Sequence, residues 1–122
     1  MKFLLTLVVL FLFVGVAQAQ TSIAVDLNKA TLEWQHTVAP DTGVPDGFNM
    51  KCGNVSGQYT KITTVGPTAR SMPVKDAITG SGNWFCAVSA YNQFGESALS
   101  NEVPFAAGAK PFAPSGLQIR AN

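Results

Sequence analysis

Histidine, cysteine and runs of like charge are scarce in this sequence of 122 residues. It contains one histidine, two cysteines, eight lysine or arginine residues and seven aspartate or glutamate residues, with a formal net charge of +1. A balanced charge without a basic run argues against nucleic-acid binding, which needs a positive surface. It also gives no reason to expect an acidic partner or an anionic membrane surface.

Groups of residues that carry out catalysis or bind metals are also missing. His36 has no second histidine and no carboxylate at a defined spacing, so we expect a loop residue and not an acid–base group. Ser97 and Ser100 lie outside any Gly-x-Ser-x-Gly elbow, which argues against a hydrolase. Two cysteines and one histidine do not complete a tetrahedral metal site. The sequence therefore predicts no enzyme, no cofactor and no metal.

One long apolar run stands at the start of the sequence. Lys2 precedes an apolar stretch over residues 3–16, which is followed by the small-x-small ending Ala-Gln-Ala. This layout is typical of a secretory signal peptide, residues 1–19, with cleavage before Gln20. The alternative is an uncleaved membrane anchor, but this needs about 20 apolar residues and the run is shorter. We expect a secreted or extracytoplasmic protein, in the periplasm or at the cell surface, without membrane contact after cleavage.

The remaining sequence has the period-two pattern of β-strands between turn residues. From Trp84 to Val103, large apolar residues alternate with smaller or polar ones, break near Phe94 and resume after Ser97, which predicts two strands and a tight loop. Pro73 cannot donate to a ladder and so predicts an edge strand. The other predicted strands cover residues 23–27, 30–35, 47–53, 59–65 and 70–74. Seven short strands without a helical period predict an all-β fold, a two-sheet antiparallel sandwich.

The residues that share one face of these strands predict the core and the direction of the cysteines. Cys52 and Cys86 both face inward on their strands. An exported chain can oxidise such thiols, so we expect a disulfide, with two buried free thiols as the alternative. The predicted core side chains are Leu32, Trp34, Phe48, Met50, Cys52, Trp84, Cys86 and Val88.

The sequence also resembles a fibronectin type III domain over residues 30–103. From Trp84 it has the family's aromatic-x-apolar-x-Val-x-Ala-x-Asn pattern, followed by Gly-x-Ser and Ser-Asn-Glu-Val. Leu32 and Trp34 are similar to the apolar-x-Trp signature of the family's strand B. The resemblance is greatest to short single domains of exported bacterial and phage-associated proteins. It implies an immunoglobulin-like sandwich at residues 20–105, with residues 106–122 as a Pro-containing tail.

The resemblance has two further implications. Cys52 and Cys86 would lie on strands C and F, which are antiparallel neighbours in one sheet, so that a bond between them is possible. Trp84 replaces the tyrosine that the family places at a corner of the fold. The phenol hydrogen bond would be lost, and the indole N–H would need another acceptor.

The tail resembles the entry segment of another domain of the same family. One hypothesis is that residues 117–120 add as a strand to an exposed sheet edge of this domain or a neighbour. The alternative is a disordered tail stiffened by proline.

Loops that meet at one end of the sandwich are the predicted binding surface, because loops carry function on such scaffolds. Residues 36–46 are expected beside residues 92–96. We predict a binding or adhesion module that contacts an extracellular protein or glycan through these loops or a sheet edge. The alternative is a structural spacer, or a domain that decorates a cell or virion surface. The candidate binding residues are His36, Val38, Asp41, Phe94 and Glu96.

Overall fold

The computed structural model describes residues 22–121, which form eight strands and one helical turn. These are β1 (Ile23–Asp26), β2 (Thr31–Glu33), β3 (Gly47–Gly53), β4 (Lys61–Val65), β5 (Ser71–Pro73), α1 (Val74–Ala77), β6 (Gly82–Asn92), β7 (Gly95–Glu96) and β8 (Val103–Gly108). The larger sheet has the order β1-β8-β6-β3-β4, with β7 paired to β6, and the smaller sheet is β2-β5. The predicted all-β fold is confirmed. The predicted signal peptide and its cleavage site lie outside the described residues.

The two sheets share one core. In the antiparallel β3–β6 pair, Met50 lies opposite Val88, and the inward side chains of both strands meet Met72 from the smaller sheet. Phe48, Met50 and Trp84 are buried, as the sequence predicted. Leu32, Trp34 and Val88 are only partly buried and pack against the edge of this core.

Cys52 and Cys86 form a disulfide that joins the two central strands. They are directly opposite in the β3–β6 register, with their Cα atoms 4.2 Å apart, and both are almost completely buried. Of the two alternatives that the sequence left open, the structure therefore contains the bond and not the free thiols. Because the bond closes a loop of sequence separation 34, the chain-entropy model gives it about 3 to 4 kcal/mol of stabilisation.

Trp84, near the start of β6, packs its ring into the core and also makes a hydrogen bond. Its indole Nε1 donates to the carbonyl oxygen of Gly80 at 2.9 Å. The side chain is 4 % exposed, so this bond satisfies a donor that would otherwise be buried without a partner. The acceptor that the sequence required is thus four residues upstream on the same chain.

The sequence predicted purely antiparallel sheets. This part of the prediction is wrong, because β1 runs parallel to β8. A turn follows β1, in which the Ala30 N–H donates to the Asp26 carbonyl at 2.9 Å and the Asn28 N–H donates to the Asp26 carboxylate at 2.9 Å. This turn moves the chain from the larger sheet to the smaller one. β1 itself lies on the outer edge of β8 and points in the same direction.

One helical turn, α1, follows the edge strand β5, although the sequence showed no helical period there. Val74 and Ala77 are both buried against the core. Lys61 donates to the Asp76 carbonyl at 2.8 Å and the Thr63 hydroxyl donates to the same oxygen at 3.3 Å. Four residues are too few to display a 3.6-residue period, which explains why the pattern gave no sign of this turn.

The strand predicted to follow Ser97 directly is wrong, because β8 begins at Val103. Residues 97–102 instead run beside β6 in an irregular conformation. Ser97 donates its N–H to the Ala90 carbonyl at 2.7 Å, and its hydroxyl oxygen accepts from the Ala90 N–H at 2.9 Å. Side-chain hydroxyls thus take the place of strand carbonyls.

Ser100 repeats this arrangement at the next position along β6. It donates its N–H to the Val88 carbonyl at 2.8 Å, and its hydroxyl accepts from the Val88 N–H at 3.0 Å.

The last strand, β8, ends at Gly108, which is three residues past the predicted domain end at residue 105. This extension buries Ala107 in the core.

Candidate functional site

The long connection from β2 to β3 forms one side of the candidate site. It contains Pro40, Gly43 and Pro45, which favour irregular structure. Asp41 has a left-handed φ of 64°, and Thr42 closes the turn by donating its N–H to the Ala39 carbonyl at 3.2 Å and its hydroxyl to the same oxygen at 2.6 Å. Turn chemistry thus gives this loop a defined path.

The hairpin between β6 and β7 forms the other side. Asn92 pairs with Gly95, so only Gln93 and Phe94 lie in the turn. The Asn92 side-chain oxygen accepts a hydrogen bond from the Phe94 N–H at 2.8 Å. This side-chain turn places Phe94 at the tip of the hairpin, where its side chain is 86 % exposed.

Two hydrogen bonds hold the loop against the hairpin. The Asp46 N–H donates to the Tyr91 carbonyl at 2.7 Å, and the Asn92 side-chain amide donates to the Val44 carbonyl at 3.2 Å. A Cβ atom at Gly43 would lie 2.5 Å from the same Asn92 amide, so glycine permits this close approach. The predicted meeting of the two loops is therefore present in the structure.

An open groove of about 620 Å³ lies between the loop and the hairpin, and we call it the loop groove. Three large apolar side chains on the two loops are exposed: Val38 at 52 %, Val44 at 68 % and Phe94 at 86 %. The side chains that line the loop groove include His36, Thr42, Pro45, Tyr91, Asn92 and Phe94. It thus combines aromatic and apolar surface with a few hydrogen-bonding groups, which is the usual composition of a recognition site.

The five candidate residues have different surroundings. His36 and Phe94 line the loop groove, whereas Val38 and Asp41 are exposed on the same loop without lining it. His36 is half-buried, with its ring edge-on to Phe48 at 5.3 Å between centroids. It therefore belongs partly to the core.

Glu96 lines the loop groove, but its carboxylate is engaged in holding the sheet surface. It forms an ion pair with Lys51 at 2.8 Å, and it accepts hydrogen bonds from the Ser89 hydroxyl and from the Asn49 amide at 3.3 Å. The bond from Lys51, then those from Ser89 and Asn49, lower the pKa of Glu96 to about 2. The sequence identified the residue but not these partners, which lie on neighbouring strands.

A second carboxylate, which the sequence reasoning missed, lies at the opposite end of the sheet. Glu102 accepts hydrogen bonds from the Ser56 hydroxyl, the Gly57 N–H at 2.9 Å and the Tyr59 hydroxyl at 2.6 Å. These bonds, the one from Ser56 first, lower the pKa of Glu102. The bond to Glu102 is also the main reason that the pKa of Tyr59 is raised to about 12. The partners are 43 to 46 residues away in sequence, so no local pattern could reveal them.

The site residues that sequence reasoning did not single out are Val44, Tyr91 and Asn92. Val44 stands between Gly43 and Pro45, and the loop prediction alone could have marked it as exposed.

Within residues 22–121, no group of three or more histidine, cysteine, aspartate or glutamate side chains is placed to hold a metal ion. In the same range, no helix has the length and hydropathy to cross a membrane.

Comparisons with protein-family models, with curated proteins and with solved structures give no match to this chain.

Proposed function

We propose that this protein is a secreted, non-enzymatic binding or adhesion module that contacts a partner through the loop groove. The observation that carries the proposal is the position of Val38, Val44 and Phe94, three large apolar side chains exposed on two loops that are bonded together. Single exposed apolar residues are ordinary, whereas several on two loops that meet around a groove are typical of an interaction surface. The scaffold holds these two loops together without using the three side chains for core packing.

We also propose a fibronectin type III-like sandwich as the scaffold. The proposal is supported by the antiparallel pairing of β3 and β6, by the core that the two sheets share, and by Trp84 in that core near the start of β6. One feature departs from the pattern, because β1 pairs with β8 and not with β2. In the immunoglobulin arrangement the first strand belongs to the sheet opposite strands C, F and G.

The proposed location outside the cytoplasm is supported by the Cys52–Cys86 bond. Disulfides persist in oxidising compartments and are rare where glutathione and thioredoxin keep thiols reduced. The predicted signal peptide over residues 1–19 agrees with such a compartment.

The exposed surface favours a protein partner over a glycan. Phe94 at the hairpin tip and the two valines on the facing loop offer apolar area that a protein surface can cover. Aromatic residues in such positions often contribute most of the binding energy of an interface. A glycan would stack on Phe94 or Tyr91 and bond to the polar groups of the groove, but it would leave Val38 and Val44 uncovered.

Photo-crosslinking can test this proposal with a closely matched control. A benzophenone amino acid at Val38 is compared with the same residue at Val55, which has nearly the same exposure, 53 %, but lies on the β3–β4 turn. In the native host we expect a discrete protein adduct from position 38 and none from position 55. Phe94→Ala should weaken the adduct roughly tenfold or more, as loss of an interface hot spot does.

Two results would replace this proposal. Equal adducts from positions 38 and 55 would show that the loops around the loop groove are not a specific binding surface. Glycan-array binding that is lost with Phe94→Ala, without any protein adduct, would keep the surface but change the partner to a glycan.

A structural role is the second candidate, either as a spacer or as a domain that decorates a surface. It is favoured by residues 109–121, all of which are exposed and therefore free to link one unit to another. A regular assembly formed by the purified chain alone would support this role.

A further inference from the structure

A second groove lies between the two sheets, beside the free edge of β2, and we call it the strand groove. Its volume is about 300 Å³, and it shares no lining residue with the loop groove. Its mostly apolar lining includes Leu32, Trp34, Met50, Val88, Ser100 and Val103. Val103 is 40 % exposed, so apolar surface here is accessible to an incoming group.

The edge of β2 that borders this groove has unpaired backbone groups. On its other edge β2 meets β5, where the Trp34 N–H donates to the Arg70 carbonyl and Ala30 accepts from the Val74 N–H, each at 3.0 Å. Backbone direction alternates along a strand, so the N–H and C=O groups of Thr31 and Glu33 point away from β5. Within residues 22–121, no strand pairs with this edge.

A polar atom beside the groove also lacks a partner. The indole Nε1 of Trp34 is buried and has no hydrogen-bond acceptor among the residues described. A buried N–H without an acceptor is unfavourable, and most are paired in folded proteins. The corresponding donor of Trp84 has its acceptor at Gly80. The neighbourhood of Trp34 thus offers a donor, an apolar lining and a free strand edge together.

The C-terminal segment has the properties that would match such a site. Residues 109–121 are all exposed, and three large apolar side chains are almost fully so: Phe112 at 100 %, Leu117 at 99 % and Ile119 at 93 %. In an extended chain, Leu117 and Ile119 lie on the same face. The segment has no acidic residue and carries Lys110 and Arg120, whereas the strand groove is bordered by Glu33.

We propose that residues 117–120 of one copy dock as a strand beside β2 of a second copy, with Leu117 and Ile119 in the strand groove. The backbone of the incoming strand would pair with Thr31 and Glu33. This mode of recognition, in which an extended peptide is added to a sheet edge, combines main-chain bonds with side-chain pockets. The partner of the strand groove is thus a second copy of this chain, and the strand groove is separate from the loop groove.

The path of the chain favours a second copy over the same molecule. The groove borders the first residue of β8, Val103, and the segment leaves beyond the last, Gly108, about 17 Å further along the strand. To reach its own groove the chain would have to reverse within residues 109–116. Pro111 and Pro114 stiffen that stretch in an extended form and oppose the reversal.

The geometry of this exchange predicts the type of assembly. Each copy has one donor segment and one acceptor groove at different places, so the contact is head-to-tail. Such contacts form rings if the rotation closes and open chains if it does not. We therefore expect the average mass of the purified protein to increase steadily with concentration and not to stop at a dimer.

Sedimentation of the purified chain over a range of concentrations can test the proposal. Ile119→Asp should raise the concentration needed for assembly roughly tenfold or more, since a buried apolar side chain becomes charged. Leu117→Asp should act similarly, because Leu117 and Ile119 share the face that enters the groove. Phe112→Asp is the matched control and should assemble like the wild type. All three residues are on the exposed segment, so none of these changes disturbs the fold.

Hydrogen exchange at the amides of Thr31 and Glu33 locates the contact. In the assembled wild type these amides should be protected, and in Ile119→Asp the protection should be lost. A chain that stays monomeric at every concentration overturns the proposal. A monomer with both amides protected indicates docking within one molecule and also overturns it. Assembly that persists in Ile119→Asp would show that another surface is responsible.

Discussion

The two ends of strand β6 differ in how they are held. At one end, which we call the hairpin end, the Cys52–Cys86 bond and the Glu102 cluster tie strand β6 and residues 97–102 to the β3–β4 hairpin, and Trp84 bonds to Gly80 at the start of β6. At the other, the loop end, two hydrogen bonds join residues 36–46 to the β6–β7 hairpin. The hairpin end thus has the covalent bond, whereas the loop end is held by hydrogen bonds and the Lys51–Glu96 ion pair. Val38, Val44 and Phe94 at the loop end are exposed, so the proposed binding surface lies at the end without the covalent bond.

Loss of the disulfide, which lies at the hairpin end, should lower the free energy of unfolding more than any other change. Reduction of the wild type, or the double change Cys52→Ala and Cys86→Ala, should lower the free energy of unfolding by about 3 to 4 kcal/mol. Urea denaturation of the oxidised, reduced and doubly substituted proteins measures this loss of unfolding free energy. Where the reduced protein is still folded, the Val38 crosslink should persist. An unchanged unfolding midpoint would show that the hairpin end does not depend on this bond.

The two tryptophans provide the next comparison, one at the start of β6 and one beside the strand groove. Trp84→Phe removes the donor to the Gly80 carbonyl as well as ring volume, and should lower the free energy of unfolding by about 1 to 2 kcal/mol. Trp34→Phe removes an N–H that has no acceptor. It should therefore cost less than Trp84→Phe.

These denaturation curves should be recorded at low protein concentration, so that residues 117–120 of another copy do not occupy the strand groove. If Trp34→Phe were the more harmful of the two changes, the indole of Trp34 would have a partner that stabilises the folded chain.

The two carboxylates should respond to acid in the same direction but by different amounts. Both folded pKa values are lowered, so each group stabilises the fold above its ordinary pKa near 4.5 and loses that effect as the pH falls, for Glu96 between about 4.5 and about 2. At neutral pH Glu102→Gln should destabilise more than Glu96→Gln, because Glu102 is less exposed and also accepts from a backbone N–H.

Urea unfolding of both carboxylate variants from pH 7 to pH 2 checks this order. The difference between each variant and the wild type should shrink as the pH is lowered. A difference that grows in acid would contradict the sign of the pKa shifts.

The smallest effect is expected at Asp41, in the loop. Its left-handed backbone suits glycine, but glycine also increases the entropy of the unfolded chain. Asp41→Gly should therefore change the free energy of unfolding by less than about 1 kcal/mol, while Asp41→Ala should be the less stable of the two variants. Thermal unfolding of both variants measures the order, and a more stable Asp41→Ala would show that the turn relaxes to another conformation.

The features that could be predicted from the sequence are those that a short pattern contains. Alternation along β3 and β6 gave the buried faces and oriented Cys52 and Cys86, and the turn residues located the loops that meet at the loop end. The candidate residues His36 and Phe94 followed from those loops and do line the groove.

Other features depend on contacts that no local pattern contains. The parallel pairing of β1 depends on a free edge of β8, which exists only once the large sheet has formed. Residues 97–102 resembled a strand, yet the hydroxyls of Ser97 and Ser100 replace the carbonyls that a strand would present. The partners of Glu102 come from a hairpin far along the chain.

The parallel pairing of β1 with β8 also determines how the domain bears mechanical load. The two strands point the same way, with Ile23 opposite Phe105 and Asp26 opposite Gly108. Tension applied between Ser22 and Ala109 therefore slides the strands past each other and stretches the bonds between them all at once instead of unzipping them singly. A unit connected in this way should resist pulling better than one whose terminal strands peel apart.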